Sequence, residues 1–337
     1  MLARIPDSLD AIGGYFALEP GRAGAVEHLT GAAAFQSARA AFLALLESCR
    51  PACVHVPWYL CDSMREPLRQ AGVASRAYAI DAEFRPAEPL ALEPDEWLLV
   101  VNYFGLCDGV VADLQARHPP GQIVVDNAQA FFAAPTPCRA SLYSPRKFFG
   151  VPDGGFLHAP GVEPRDCPRD TGSAKRMAHL TRRLELGAEA GYADYVAAEE
   201  SLSGQPPLRM SRLSEQLLTG ADHAEVARRR RRNFALLDEH LAAHNELSWN
   251  LGAAQVPLCY PFLPARAGLR AGLRAELLSA RIYVAQYWRE LTAPDRAVPA
   301  HERRLAAGLL PLPVDQRYSA ETLMRHLVEP LLATLEG

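Results

Sequence analysis

The stretch "QIVVDNAQAFFAAPTPCRASLYSPRKFFGVPDGG" (residues 122–155) decides the fold. Two apolar runs within it, 122–128 and 140–144, have the β-rich, two-sided character of strands buried on both faces. The first ends on Asp126, with Gln129 three residues on; the second leads into Ser144 and Lys147 and then to closely spaced glycines. In a parallel sheet covered by helices, ligands gather at the carboxyl ends of the strands. Asp126 and Lys147 are therefore predicted to sit along one rim.

Lysine is scarce here: Lys147 and Lys175 are the only two among 35 basic residues. Arginine stays protonated at any working pH, whereas a lysine amine in a desolvated or electropositive site can lose its proton and attack a carbonyl. Lys147 is a candidate Schiff-base nucleophile, or else an ordinary surface lysine. Asp126 has two readings as well. It caps the next turn, or it faces a pyridine ring and keeps the ring nitrogen protonated, with Gln129 bonded to the phenolic oxygen of that ring.

Further strand-like runs flank this stretch at 52–57, 75–80, 96–103 and 154–159, and helical spacing marks 37–48, 62–72 and 109–118. Such alternation predicts an α/β domain with a largely parallel sheet. Ser37 opens the first helical segment, either as a plain cap or as part of a phosphate-binding helix end. Long amphipathic helices follow from about residue 165, then "QVPLCYPFLP", a helix over 267–279, "RIYVAQYW" and a last helix capped by Ser319. This division gives a large domain over 1–205 and a smaller C-terminal α+β domain over 206–337.

The chain has 337 residues and a net charge of -4, which argues against broad binding to nucleic acid or an anionic membrane. No apolar run reaches bilayer length and the first residues lack a leader pattern, so a cytoplasmic protein is expected. Seven scattered cysteines form no CxxC pair, so reduced thiols and no metal site are expected. Five consecutive arginines, Arg228–Arg232, point around a helix and read as a solvated face or an inter-subunit salt-bridge array; a nucleic-acid surface is the weaker alternative. His55 and His158, inside apolar runs, read as hydrogen-bonded core histidines.

The ordered set "SARAAF" (37–42), "NYFG" (102–105), "DNAQA" (126–130), "SPRKFFGVPDGG" (144–155), "RMS" (209–211) and "LPLP" (310–313) resembles the DegT/DnrJ/StrS family of pyridoxal-phosphate aminotransferases, which act on keto nucleotide sugars. The likeness runs from "GGYF" (13–16) to the last helix. It implies fold type I, pyridoxal 5'-phosphate as cofactor, and a homodimer whose sites are completed by the neighbouring chain. It further implies Lys147 as the Schiff-base lysine, Asp126 at the pyridine nitrogen, Gln129 at the phenolic oxygen, and Ser37, Ala38 and Arg39 at the phosphate.

Several positions depart from the family pattern. A phosphate-binding serine five residues before the lysine is Leu142 here, leaving Ser141 or Ser144 to substitute; the usual stacking aromatic falls at Cys61, leaving Trp58 or Tyr59 to supply a face. The asparagine that reaches a partner's phosphate falls at Pro207, and a helix-turn glycine is Ala38. Amino transfer from a donor such as glutamate to a keto sugar nucleotide is the expected activity. A catalytically idle relative that binds a ligand or partner through the same cleft is the alternative.

Overall fold

A computed structural model of the chain describes residues 21, 26–162 and 166–336. The "GGYF" segment lies outside the described residues. Seven strands form one sheet in the order β1-β7-β6-β5-β4-β2-β3. They are β1 (Ala33–Phe35), β2 (Cys53–Pro57), β3 (Ala74–Tyr78), β4 (Glu96–Val101), β5 (Ile123–Asn127), β6 (Ala140–Tyr143) and β7 (Gly155–His158). The centre is parallel, β3 through β6 by way of β2, β4 and β5, with α1 (Ala38–Cys49), α2 (Asp62–Ala71) and α3 (Asp108–Arg117) in the connections. Strands β2, β4, β5 and β6 are buried along their whole length, as helix-covered parallel strands must be.

Two features differ from the expected pattern. Strand β3 closes the sheet edge, and its first four residues are exposed rather than buried. At the other edge β7 runs antiparallel to β6, and β1 antiparallel to β7. The β6–β7 connection carries Lys147 on a single 3-10 turn, Pro145–Lys147, too short a crossover for a parallel return, so the chain comes back antiparallel.

Helices α4 (Ser173–Arg176), α5 (Ala178–Leu186) and α6 (Tyr192–Glu200) follow, then α7 (Arg212–Thr219) and the long α8 (His223–Leu241). Strands β8 (Cys259–Phe262) and β9 (Leu310–Pro313) pair antiparallel, with α9 (Arg270–Ser279), α10 (Ala300–Gly308), α11 (Ala320–Leu323) and α12 (Glu329–Glu336) completing the C-terminal part. Phe234, Leu237, Tyr260, Phe262, Leu312 and Leu331 belong to a second core there, apart from the one around the large sheet. Ser319 caps α11 through the Thr322 N–H, as expected.

The arginine run is structural. Arg228 and Arg229 bond Glu225, and Arg231 donates to the carbonyls of Gly252 and Gln255. Arg230 is buried; it donates to Gln316 and to the carbonyls of Pro257 and Leu258, and its guanidinium lies 4.5 Å from the Phe148 ring centroid. Burial lowers this guanidinium to about 10. Neutral carbonyls and an aromatic face replace the water it has lost, so it fastens α8 to the loop behind Lys147.

Candidate active site

Seven of the nine residues singled out in the sequence line one cavity of about 340 Å³: Ser37, Ala38, Arg39, Asp126, Gln129, Ser144 and Lys147. The fold brings them there because β5 and β6 are adjacent parallel strands in register from Val124↔Ala140 to Asn127↔Tyr143. Their carboxyl ends therefore deliver Asp126 and the Ser144–Lys147 turn to the same rim.

Helix α1 enters from the side. Gln36 is clamped by both amide ends, accepting from the Leu208 N–H at 2.6 Å and donating to the Pro206 carbonyl at 2.8 Å, while its own carbonyl accepts the Gly154 N–H. Ser37 follows as the N-cap, its hydroxyl accepting from Ala40 N–H at 3.1 Å. The N–H groups of Ala38 and Arg39 have no protein acceptor among the described residues and front the cavity, the arrangement that suits an anion. A Cβ on Gly155 would fall 2.1 Å from the Ser37 carbonyl carbon and 2.2 Å from the Ala38 nitrogen. Glycine there lets the helix end sit directly on the sheet.

Asp126 is 4 % exposed, and its Oδ1 accepts the Ala128 N–H at 2.9 Å. Burial pushes its carboxyl up, while the charge of Lys147 and the Ala128 N–H pull it back. The Oε1 of Gln129 accepts the Phe104 N–H at 2.8 Å, which fixes the amide's orientation and leaves its NH2 available to a ligand. Phe104 holds φ at +58°, a conformation that turns its N–H onto Gln129. Lys147 ends a short 3-10 turn, Pro145–Lys147, with its side chain exposed to the open cavity.

The two aromatic candidates are not brought to the cavity. Tyr59 is fully buried, its ring packed edge-on against Trp288 at 4.0 Å, and Trp58 is absent from the lining. Tyr287 and Trp288, from "RIYVAQYW", supply the aromatic wall together with Leu60 and Cys61. Trp288 holds φ at +54°. No local pattern announces it, because a connection remote in sequence carries it in. Of the two candidate hydroxyls, Ser141 is buried beside the Cys138 sulfur, and Ser144 is the one at the cavity; Leu142 is sealed inside β6.

Helices α5 and α6 contribute residues the sequence reading did not single out. His179, Tyr195 and Glu199 line the far wall, where Glu199 pairs with Arg146. Several polar atoms there are buried without a hydrogen-bond partner: Arg39 Nε and Nη1, Arg146 Nε, and the Nδ1 of His179, a residue 8 % exposed. Unsatisfied buried donors are costly unless a ligand meets them.

At the opposite end of the sheet His55 bonds Glu96 at 3.0 Å, and Arg76 bonds the same carboxylate at 2.9 Å. This is the core histidine expected at position 55, held in an ion-pair network that also places Cys53 within 4.8 Å. His158 is half-buried, and its Nδ1 has no partner. All seven cysteines are free. No helix among the described residues is long and apolar enough to cross a membrane.

Neither a protein-family model nor a curated protein matches the sequence. Solved structures do match the fold. NtdA from Bacillus subtilis, with bound cofactor PMP, superposes with a TM-score of 0.64 at 14% identity, over 91% of this chain and 73% of its own. DesI in the presence of its TDP-sugar product gives 0.59 at 21%, over 90% and 80%. A DegT DnrJ EryC1 StrS aminotransferase from Brucella abortus gives 0.59 at 15%, over 91% and 86%. The chain therefore has the fold of these aminotransferases, the fold type I architecture that the sequence motifs implied.

Proposed function

We propose that this chain is a pyridoxal-phosphate-dependent aminotransferase, of the kind that moves an amino group from an amino acid such as glutamate to a keto sugar nucleotide. The observation that carries the proposal is the convergence of Lys147, Asp126, Gln129 and the free N–H groups of α1 on one cavity. Pyridoxal phosphate, when bound, supplies an electron sink for bond changes at the carbon bearing the amino group. The residues present fit that group. The Nε donors of Arg39 and Arg146 are buried without a hydrogen-bond acceptor, and Gly155 clears the space beside α1.

Each residue then has a definite task. Lys147 is the one amine among the lining residues, able to bind the cofactor carbonyl covalently and, once displaced, to carry a proton to and from the reacting carbon. The Oδ1 of Asp126 is engaged by Ala128, which leaves Oδ2 to hold the ring nitrogen proton. Gln129 donates its amide NH2 to the phenolic oxygen. Tyr287 and Trp288 form the aromatic side of the cavity and would shield a bound ring from water there; both lie in the smaller of the two domains we propose, 206–337.

The fold shared with DesI, solved in the presence of a TDP-sugar, supports the acceptor class. A homodimer is part of the reading: Leu184, Leu186, Tyr192 and Tyr195, on the α5–α6 pair beside the cavity, are exposed apolar residues of the kind subunits bury. So is a cytoplasmic setting. A second reading, a catalytically idle ligand-binding protein, draws on Leu142, which offers the cavity no hydroxyl.

Incubation with pyridoxal phosphate, borohydride fixation and peptide mass spectrometry separate the two. Aminotransferase function requires the label on Lys147, amino transfer from glutamate to keto sugar nucleotides, and loss of both in Lys147→Ala. Labelling only at Lys175, or transfer undiminished in Lys147→Ala, would refute the proposal.

A further inference from the structure

A cofactor phosphate brings about two negative charges to the floor of this cavity, and these call for a cation as well as dipoles. The hydroxyls nearby are mostly committed. Ser37 caps α1, Ser63 donates to the Cys61 sulfur, Ser141 faces Cys138 and position 142 is leucine, which leaves Ser144 as the uncommitted hydroxyl of the lining, a neutral group that brings no charge. Three arginine or lysine side chains line the cavity: Arg39, Arg146 and Lys147. Lys147 is the covalent anchor; Arg146 and Arg39 are each ion-paired, but Arg146 lies in the Lys147 turn and reaches Glu199 on the far wall, whereas Arg39 belongs to the helix end itself.

Arg39 remains, and it sits on α1 within the turn whose Ala38 and Arg39 N–H groups are free. Its side chain is only 16% exposed. Nη1 lies 2.9 Å from Glu66 Oε2, yet neither Nη1 nor Nε makes a hydrogen bond. Glu66 also accepts from Ser203 Oγ and the Gly204 N–H, which fix the carboxylate's orientation. The guanidinium is thus held in place by charge while its donors stay spare.

Resting on the function proposed above, we infer that the Arg39 guanidinium is the phosphate-binding cation of this site, so that charge from the chain's own first helix replaces the hydroxyl that Leu142 cannot offer. Phosphate selection then resides in one side chain and two backbone N–H groups of the same helical turn. In the empty protein Glu66 is the counter-ion of that guanidinium, and the phosphate competes with it.

The test compares pyridoxal phosphate with pyridoxal, which has the same ring and aldehyde but no phosphate. Both are titrated into the full chain and read by borohydride-fixed label on Lys147. In Arg39→Ala the apparent affinity for pyridoxal phosphate falls about tenfold or more, the range for losing a charge-assisted contact, and that for pyridoxal stays within about twofold. An unchanged phosphate preference overturns the inference while leaving the function intact. Glu66→Gln keeps the guanidinium, so its preference for the phosphorylated ligand matches or exceeds that of the parent; a loss there means that α1–α2 packing, not charge, is what matters. Inorganic phosphate tests the site without covalent chemistry. It raises the melting temperature of the parent chain and not of Arg39→Ala, and an equal rise in both again overturns the inference. A parent chain that binds inorganic phosphate but never labels Lys147 sinks the function and spares the anion site.

Discussion

A carboxylate as deeply buried as Asp126 has to be explained by what it will meet. Its carboxyl is pushed up by burial, with Lys147 and the Ala128 N–H only partly opposing this. The unfolded chain therefore ionises first as pH rises through the usual carboxylate range, and from there upward the folded state without cofactor loses stability relative to a neutral side chain. Asp126→Asn in the cofactor-free protein should melt above the parent at neutral pH, and the difference should vanish below about pH 3, where Asp is protonated in both states. Calorimetry across that range checks the sign. In the loaded enzyme the same change should cost roughly a hundredfold to a thousandfold in turnover, the range for removing one preorganised electrostatic partner, with the Lys147 label retained. Asp126 and Gln129 were legible as polar residues at the end of an apolar run, and Lys147 as one of two lysines in a chain that otherwise uses arginine. Trp288 and His179 were not, since nothing local distinguishes a cavity-lining aromatic or imidazole from a core one. Trp58 and Tyr59, chosen as the aromatics next to Cys61 where the resemblance places a stacking ring, show the limit of such reasoning: the chain turns Tyr59 inward and presents Leu60 and Cys61 instead.

Strands β2 to β7 were all legible from their apolar runs, including β3 and β7 at the less buried side of the sheet as well as β2, β4, β5 and β6, which are buried along their whole length. Strand β1 escapes because three residues, two of them alanine, carry no periodicity; pairing with β7 makes it a strand. Arg230 escapes in the same way, since a five-arginine run advertises solvent and only tertiary packing reveals that one member is buried among carbonyls. The junction of α1 and β7 is where element packing sets the chemistry. The Ser37 carbonyl carbon and Ala38 nitrogen leave no room for a side chain at Gly155, and both near atoms are backbone. Gly155→Ala must therefore push the helix end off the sheet, at a cost of about 1–3 kcal/mol typical of overpacking. The displaced atoms are those that front the phosphate end of the cavity. Pyridoxal phosphate affinity should consequently fall more than pyridoxal affinity, whereas a general loosening would lower both alike. Chemical denaturation together with the two titrations distinguishes these outcomes.

At the scale of the molecule, the α5–α6 pair is the feature a single chain leaves unexplained. Leu184 is 82% and Leu186 71% exposed, and Tyr195, exposed beside them, reaches the cavity together with Glu199 from the same helix. Solitary exposed leucines need no reason, but a set grouped on one helical hairpin next to the catalytic cleft does. A second copy of the chain is the occupant this arrangement fits, because covering the pair would seal the open side of the cavity and desolvate Arg146, His179 and Lys147 at one stroke. Low-dielectric enclosure strengthens every charge interaction within. The double variant Leu184→Glu, Leu186→Glu puts two carboxylates into that contact. Sedimentation should show the parent chain as a dimer and the variant as a monomer with unchanged circular dichroism. Turnover should fall by about tenfold or more with dissociation, as the lost enclosure weakens the cleft's electrostatics. It should recover partly at high protein concentration as mass action restores the pair. A monomeric variant with full turnover would mean that each chain closes its own site, and the apolar hairpin would then need a different partner.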